Sequence, residues 1–137
     1  MSIQAESAVQ AAQEPARISV RLVTVITGTQ VHKHATIVAE IGGIVRTFES
    51  TGHRNGPIDA ICHAFEPLVG EFRCVSWSGK GESEGSDAVG RIDVLIEMND
   101  DTFAGVGHHT DTMHATALAV TDALNKHRWH KWKTGKL

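Results

Sequence analysis

Two stretches, HATIVAEIGGIVRTFESTGHRNGPIDAICHAF at 34–65 and VGRIDVLIEMNDDTFAGVGHHTDTMHATALAV at 89–120, lie over one another when the chain is shifted by 55 residues. Ile37 then falls on Ile92, Ile41 on Ile96, Thr47 on Thr102, Phe48 on Phe103, Gly52 on Gly107, His53 on His108, Ala60 on Ala115 and Ala64 on Ala119, eight identities without a gap. A repeat of this period implies two copies of one supersecondary unit. Within each copy Ile37, Ala39 and Ile41, or Ile92, Val94 and Ile96, alternate with polar or outward positions, the period of a half-buried strand. Gly42-Gly43 and Asn99-Asp100 follow as tight-turn dipeptides, so IVRTFES and TFAGVG return as third strands antiparallel to the second.

Upstream of each copy lies another β-rich stretch, ISVRLVTVI at 18–26 and FRCVSW at 72–77, dense in β-branched and aromatic residues. Downstream lies a helix. Ile58, Ile61, Cys62 and Phe65 recur at i, i+3, i+4 and i+7, and Met113, Ala117, Val120 and Leu124 form a similar stripe, so one face of each helix is expected to cover its sheet. Asn55-Gly56-Pro57 offers a cap, a flexible glycine and a first-turn proline, and Thr110 and Asp111 do the same for the second helix. Pro67 is expected to limit or kink the first helix, with Gly70 as its stop. The predicted fold class is α+β, two pseudo-symmetric βββα units at about 17–70 and 71–127, each an antiparallel sheet covered by a helix. Such units leave strand edges and apolar surface open, so a homodimer is expected. Residues 1–16, rich in Ala, Gln and Glu, are expected to form a flexible arm, and 128–137 a basic, aromatic tail.

At 137 residues, 41% hydrophobic and 21% charged, the chain matches one ordinary globular domain. A formal net charge of −3 supplies no basic field for neutralising phosphates, which argues against a nucleic-acid partner. Cys62 and Cys74 form neither a disulfide framework nor a zinc spacing, and a reducing, cytoplasmic setting is expected. Without an apolar run of about 20 residues or a signal-like start, membrane insertion and export are not expected.

The chemistry-bearing candidates cluster at two equivalent corners, GHRNGPIDA at 52–60 and GHHTDTMHA at 107–115. A helix start presents unsatisfied N–H groups and partial positive charge, and a neighbouring glycine lets a small carboxylate approach the backbone; the plainer reading is a helix cap alone. His108, His109, Asp111 and His114 gather possible metal ligands within seven residues, but a zinc or iron site needs converging ligands that this spacing does not supply, so capping or exposed histidines are the expectation and no metal or cofactor is assigned. Cys62 lies on the apolar face of its helix and is expected in the core, and neither cysteine carries an activation signature, so no catalytic residue is assigned. GKGESEGSDAVG at 79–90 is glycine-rich but acidic and precedes a strand, a mobile connector and not a phosphate loop. The end, KHRWHKWKTGKL, interleaves cations with Trp129 and Trp132 and is expected to be a solvated helix end with its tryptophans docked on the body or on a partner.

NGPIDA at 55–60, GSDAVGRIDV at 85–94 and GVGHHTDTMHATALAVTDALN at 105–125 resemble the C-terminal allosteric domain of 2-isopropylmalate synthases and the related citramalate synthases, over about residues 17–127. The resemblance implies two pseudo-symmetric βββα halves, a dimer, and binding of a pathway end product, leucine or isoleucine, that inhibits a separate TIM-barrel domain. That barrel has no counterpart in this sequence, so the chain is expected to be a regulatory module and not an enzyme, with a separate catalytic synthase subunit as a possible partner. Carried over by position, the resemblance assigns ligand contact to Arg54, Asn55, Gly56, Pro57, Ile58 and Asp59, and from the other half to Cys74, Trp77, Asp87 and Ala88. Chemically, N–H groups near Asn55 and Gly56 suit a carboxylate, Asp59 or Asp87 an ammonium, and Ile58 an apolar side chain. Arg54 and His109 depart from the small residue and the serine common in the family. The alternative to an amino-acid sensor, leucine its first ligand, is a structural dimerisation module with a degenerate pocket; a small metal-dependent enzyme built on the histidines ranks third.

Overall fold

The computed structural model describes residues 14–27, 34–50, 56–81 and 88–135. Its elements are β1 (Ile18–Ile26), β2 (His34–Ile41), β3 (Ile44–Glu49), α1 (Pro57–Val69), β4 (Arg73–Gly81), β5 (Gly90–Met98), β6 (Asp101–His109) and α2 (Thr112–Lys133). The order is βββα twice, with antiparallel sheets β1-β2-β3 and β4-β5-β6. The α+β architecture and the repeat read from the sequence are therefore those of the molecule.

Both hairpins close as their dipeptides predict. Gly42 and Gly43 take φ of 61° and 80°, and Asn99 and Asp100 take 52° and 69°. Left-handed backbone at both central residues gives a two-residue turn the right-handed twist of its strands. Each first strand carries a bulge, at Val20/Leu22 in β1 and at Cys74/Ser76 in β4. One core serves both halves: Ile37, Phe48, Ile61 and Phe65 from the first pack with Ile92, Val94, Ile96, Val120 and Leu124 from the second.

The two helices are unequal. In α1 Gly56 caps through extended backbone with Pro57 at the first turn, Pro67 is accommodated near the end, and Gly70 stops the helix at φ 90°. Ala60, Ile61, Cys62, Ala64 and Phe65 are its buried residues, a single face. α2, by contrast, is buried almost all round from Ala115 to Leu124, because it packs on β6 and β5, touches α1, and reaches across to β1. The expected single stripe of Met113, Ala117, Val120 and Leu124 is only part of its contact surface. Its seat on β6 is made of Gly105 and Gly107, which let the helix backbone at Ala115, Ala119 and Ala123 come against the strand.

Three polar side chains of α2 then close the seam between the outer strands β1 and β6. Asn125 accepts from the Ile18 N–H (2.8 Å) and donates to the Ile18 carbonyl (3.1 Å). Asp122 accepts from the Val106 N–H (2.9 Å), and the Lys126 ammonium donates to the Ala104 carbonyl (2.8 Å). Shifted back by 55 residues these positions are Pro67, Gly70 and Glu71, where α1 is ending. The pseudo-symmetry thus breaks here: the seam beside α2 is stitched by Asp122, Asn125 and Lys126, and the equivalent positions beside α1, Pro67, Gly70 and Glu71, carry no such side-chain hydrogen bonds among the described residues.

Candidate functional site

Of the ten ligand-contact positions carried over from the resemblance, Arg54, Asn55 and Asp87 lie outside the described residues. The rest divide between two places. Gly56, Pro57, Ile58 and Asp59 form the start of α1, where the Ala60 N–H donates to the Gly56 carbonyl (3.0 Å), Ile58 packs against the core, and Asp59 is exposed. Cys74 sits on the inward face of β4, opposite Ile96, with its thiol donating to the Ser76 carbonyl (3.1 Å). Burial pushes the Cys62 thiol of α1 far up, and the neighbouring Cys74, Asp59 and Glu66 push it the same way. Burial also raises the Cys74 thiol, partly offset by backbone hydrogen bonds at Ser76 and Leu95. Both thiols are held protonated, inert as nucleophiles.

Trp77 and Ala88 come together elsewhere, in a cavity of about 370 Å³ at the start of α2. Trp77 faces inward opposite Val94, 38% exposed, and its indole N–H donates to the Thr116 hydroxyl (3.1 Å), which donates to the Thr112 carbonyl (2.9 Å). The ring lies over Gly79: a Cβ there would stand 3.2 Å from the indole and 3.2 Å from Ile92 Cδ1. Gly79, Gly81 and Gly90 leave the strand backbones bare, Thr110 and Thr112 bring hydroxyls and the helix start, and Lys80 brings positive charge to the lining, where the Arg91 guanidinium is engaged by the Asp93 carboxylate at 3.0 Å. An aromatic wall, exposed backbone, helix-start donors and one lysine suit a small molecule with an apolar side and a carboxylate. Thr110 and Thr112 fall in the 107–115 corner that the sequence singles out as a place for a carboxylate, whereas Thr116 is not marked there; the alternate glycines at 79 and 81, both on the inward face, belong to the stretch expected to be a connector.

The histidine cluster at the same corner has a structural use. Asp111 caps α2, its carboxylate accepting from the N–H groups of Met113 (2.8 Å) and His114 (3.0 Å). His109 Nδ1 accepts from the Asp111 N–H (2.9 Å), and the His109 and His114 rings stack at 4.0 Å and 12°. Parallel rings point their lone pairs side by side, and no group of three or more metal-ligating side chains converges among the described residues. Burial lowers the His114 pKa, the His109 charge lowers it further, and Asp111 opposes. Burial likewise lowers that of His127, whose ring stands edge-on to Phe103.

A pH dependence follows. The unfolded chain binds these protons at the ordinary value near 6.5 and the folded chain only below it, so acidification through that value favours unfolding. The melting temperature is expected to fall between about pH 7.5 and about pH 5. His114→Phe, which keeps a flat ring against His109 and removes one titration, is expected to narrow the fall; an unchanged slope in thermal melts would assign it to other groups.

Comparison with known proteins agrees with this architecture. A family profile described as the LeuA allosteric (dimerisation) domain matches residues 2–128. Among curated proteins, the 2-isopropylmalate synthase of Prochlorococcus marinus (strain MIT 9313) is 34% identical over 119 residues, 85% of this chain and 22% of that protein. Those of Synechococcus sp. (strain CC9311), 34% over 120 residues, and Erwinia tasmaniensis, 34% over 118, are covered to the same 22%. The chain therefore spans about a fifth of the length of the relatives it matches.

Proposed function

The chain belongs to the LeuA allosteric (dimerisation) domain family, and on that premise we propose that it is a non-catalytic module that binds a branched-chain amino acid, leucine first, and imposes feedback control on a 2-isopropylmalate synthase-like catalytic chain. The observation that carries this reading is the cavity at the start of α2, where Trp77 and Ala88 converge with a helix start and bare strand backbone. A free amino acid needs donors for its carboxylate and an apolar wall for its side chain, and both are there. Control requires that the ligand favour one state of the regulated enzyme over another, since equal affinity for both shifts nothing.

The module acts as a homodimer. Leu22 and Val45, on the outward face of the first sheet, are 56% and 61% exposed, and Val75 on β4 is also open. Apolar sheet surface of this kind is what a second copy covers. No helix among the described residues is long and apolar enough to cross a membrane. A cytoplasmic setting is part of the proposal.

Isothermal calorimetry of the chain against leucine, isoleucine and valine, with light scattering on the same sample, tests the reading. Saturable heat with one of them at a Kd of about 1 mM or tighter is expected, on a dimer. Trp77→Ala is expected to weaken binding at least about tenfold, the loss of one aromatic anchor, and Gly56→Val to weaken it only if the α1 corner joins the site. Silence with all three amino acids would make the chain a dimerisation module without a sensor.

A further inference from the structure

A second cavity, of about 360 Å³, opens at the other end of α2, between that helix and the segment leading into β1. Two arginines line it, Arg17 from the segment and Arg128 from the helix, and neither forms an ion pair among the described residues. Among the described residues Arg128 donates only to the Ala16 carbonyl, at 3.3 Å, and its Nε–H is enclosed without an acceptor. Burial disfavours its charged form, the mark of a guanidinium that has lost water without gaining an anion. Two carboxylates share the lining, but Asp122 is already engaged by the Val106 N–H and, at 3.5 Å, by Lys126, and Glu14 stands exposed on the segment. The indole of Trp129, 46% exposed with the Lys133 ammonium over its ring at 4.4 Å, forms a flat apolar wall. Downstream of Asp122 the sequence holds five Lys or Arg and no Asp or Glu, so the potential at this end is positive.

We infer that this cavity is a carboxylate-binding site, taking a small organic acid whose carboxylate is shared by Arg17 and Arg128 and whose carbon body lies against Trp129. Guanidinium groups are the side chains best shaped to hold a carboxylate through paired N–H donors. The two cavities share no lining residue, the Trp77 cavity meeting α2 at Thr112 and Ala115 and this one from Asp122 to Trp129, so its test is independent of the amino-acid reading.

Titrating the full ¹⁵N-labelled chain with isobutyrate, and separately with its neutral isostere isobutyramide, reads the site through the Arg128 Nε–H and Trp129 indole N–H signals. Isobutyrate is expected to move both saturably and isobutyramide neither. Arg128→Gln and Arg17→Gln are each expected to raise the Kd at least about tenfold, the size of one charge-assisted contact. Arg17 is exposed, so its variant remains informative if Arg128→Gln unfolds. A blocked peptide, Ac-Ala-Glu-Ala-NH₂, separates the two sources of the same group: tighter binding than isobutyrate assigns the carboxylate to a protein side chain, weaker binding to a free acid. Equal response to acid and amide, affinity unchanged in Arg17→Gln, or inorganic phosphate binding as well as isobutyrate would overturn the inference and leave a non-specific basic surface.

Discussion

Gly105→Ala is expected to lower the stability of this chain by more than about 3 kcal/mol, above the usual range for overpacking. A Cβ at Gly105 would stand 1.9 Å from the Ala119 carbonyl oxygen and 2.8 Å from the Ala123 nitrogen. Both are backbone atoms of α2, so no side chain can rotate away, and the whole helix must lift from β6. Lifting it also withdraws Val120 and Leu124, both fully buried, from the common core. Gly107→Ala meets the same obstacle one turn earlier, at 2.2 Å from the Ala115 oxygen and 2.6 Å from the Ala119 nitrogen. Against a total of about 5–15 kcal/mol for a domain of ordinary stability, either change removes a large fraction. Gly90→Ala is the control, because its Cβ would make only ordinary contact, 3.5 Å from the His109 oxygen. Urea unfolding of the three variants checks the argument: the unfolded-chain effect of Gly→Ala is a gain in stability, so a loss at Gly90 as large as at Gly105 and Gly107 would mean that the cost does not arise at the helix seat.

This contact explains which parts of the fold were legible in the sequence. The hairpins were, because a two-residue turn is decided by its own dipeptide, and both dipeptides adopt the left-handed backbone that their residue types favour. The central strands were too, since β2 and β5 each have one face toward the core and alternate accordingly, whereas β3 buries only Phe48. The packing of α2 was not. Its closest approach is made by alanines against glycines, residues that carry little hydrophobic signal, so a stripe sought among larger side chains finds only Met113, Ala117, Val120 and Leu124. The candidate site shows the same limit. The family pattern names residues from the first corner and from β4 and the segment after it, but where Trp77 points is set by Gly79 beneath it and Thr116 opposite, and a hydroxyl one turn into a helix has no signature in sequence.

Asn125→Leu, of nearly the same shape, is expected to cost about 2–4 kcal/mol, because it removes a donor and an acceptor from one backbone residue and supplies nothing in return. Ile18 is buried at the start of β1, on the edge that β2 does not cover, and the Asn125 amide pairs both of its backbone groups as a neighbouring strand would. Without that amide the Ile18 N–H and carbonyl face an alkyl side chain. Hydrogen exchange at Ile18 and Val20 should therefore accelerate more than exchange in β5, which lies between two strands. Exchange that rises equally throughout would mean that the halves separate together and that the amide holds no local seam. The comparison bears on function because the same mutation has no counterpart in the first half: the equivalent of Asn125 is Gly70, the stop of α1. One seam resists opening through side-chain hydrogen bonds, whereas the other, between α1 and β4, rests on apolar contact around Ile61, Cys62 and Cys74. Apolar contacts tolerate sliding that directional hydrogen bonds do not, so under the proposed function a ligand that shifts one half against the other does least work at the α1 seam, and Asn125→Leu should make the two seams more alike.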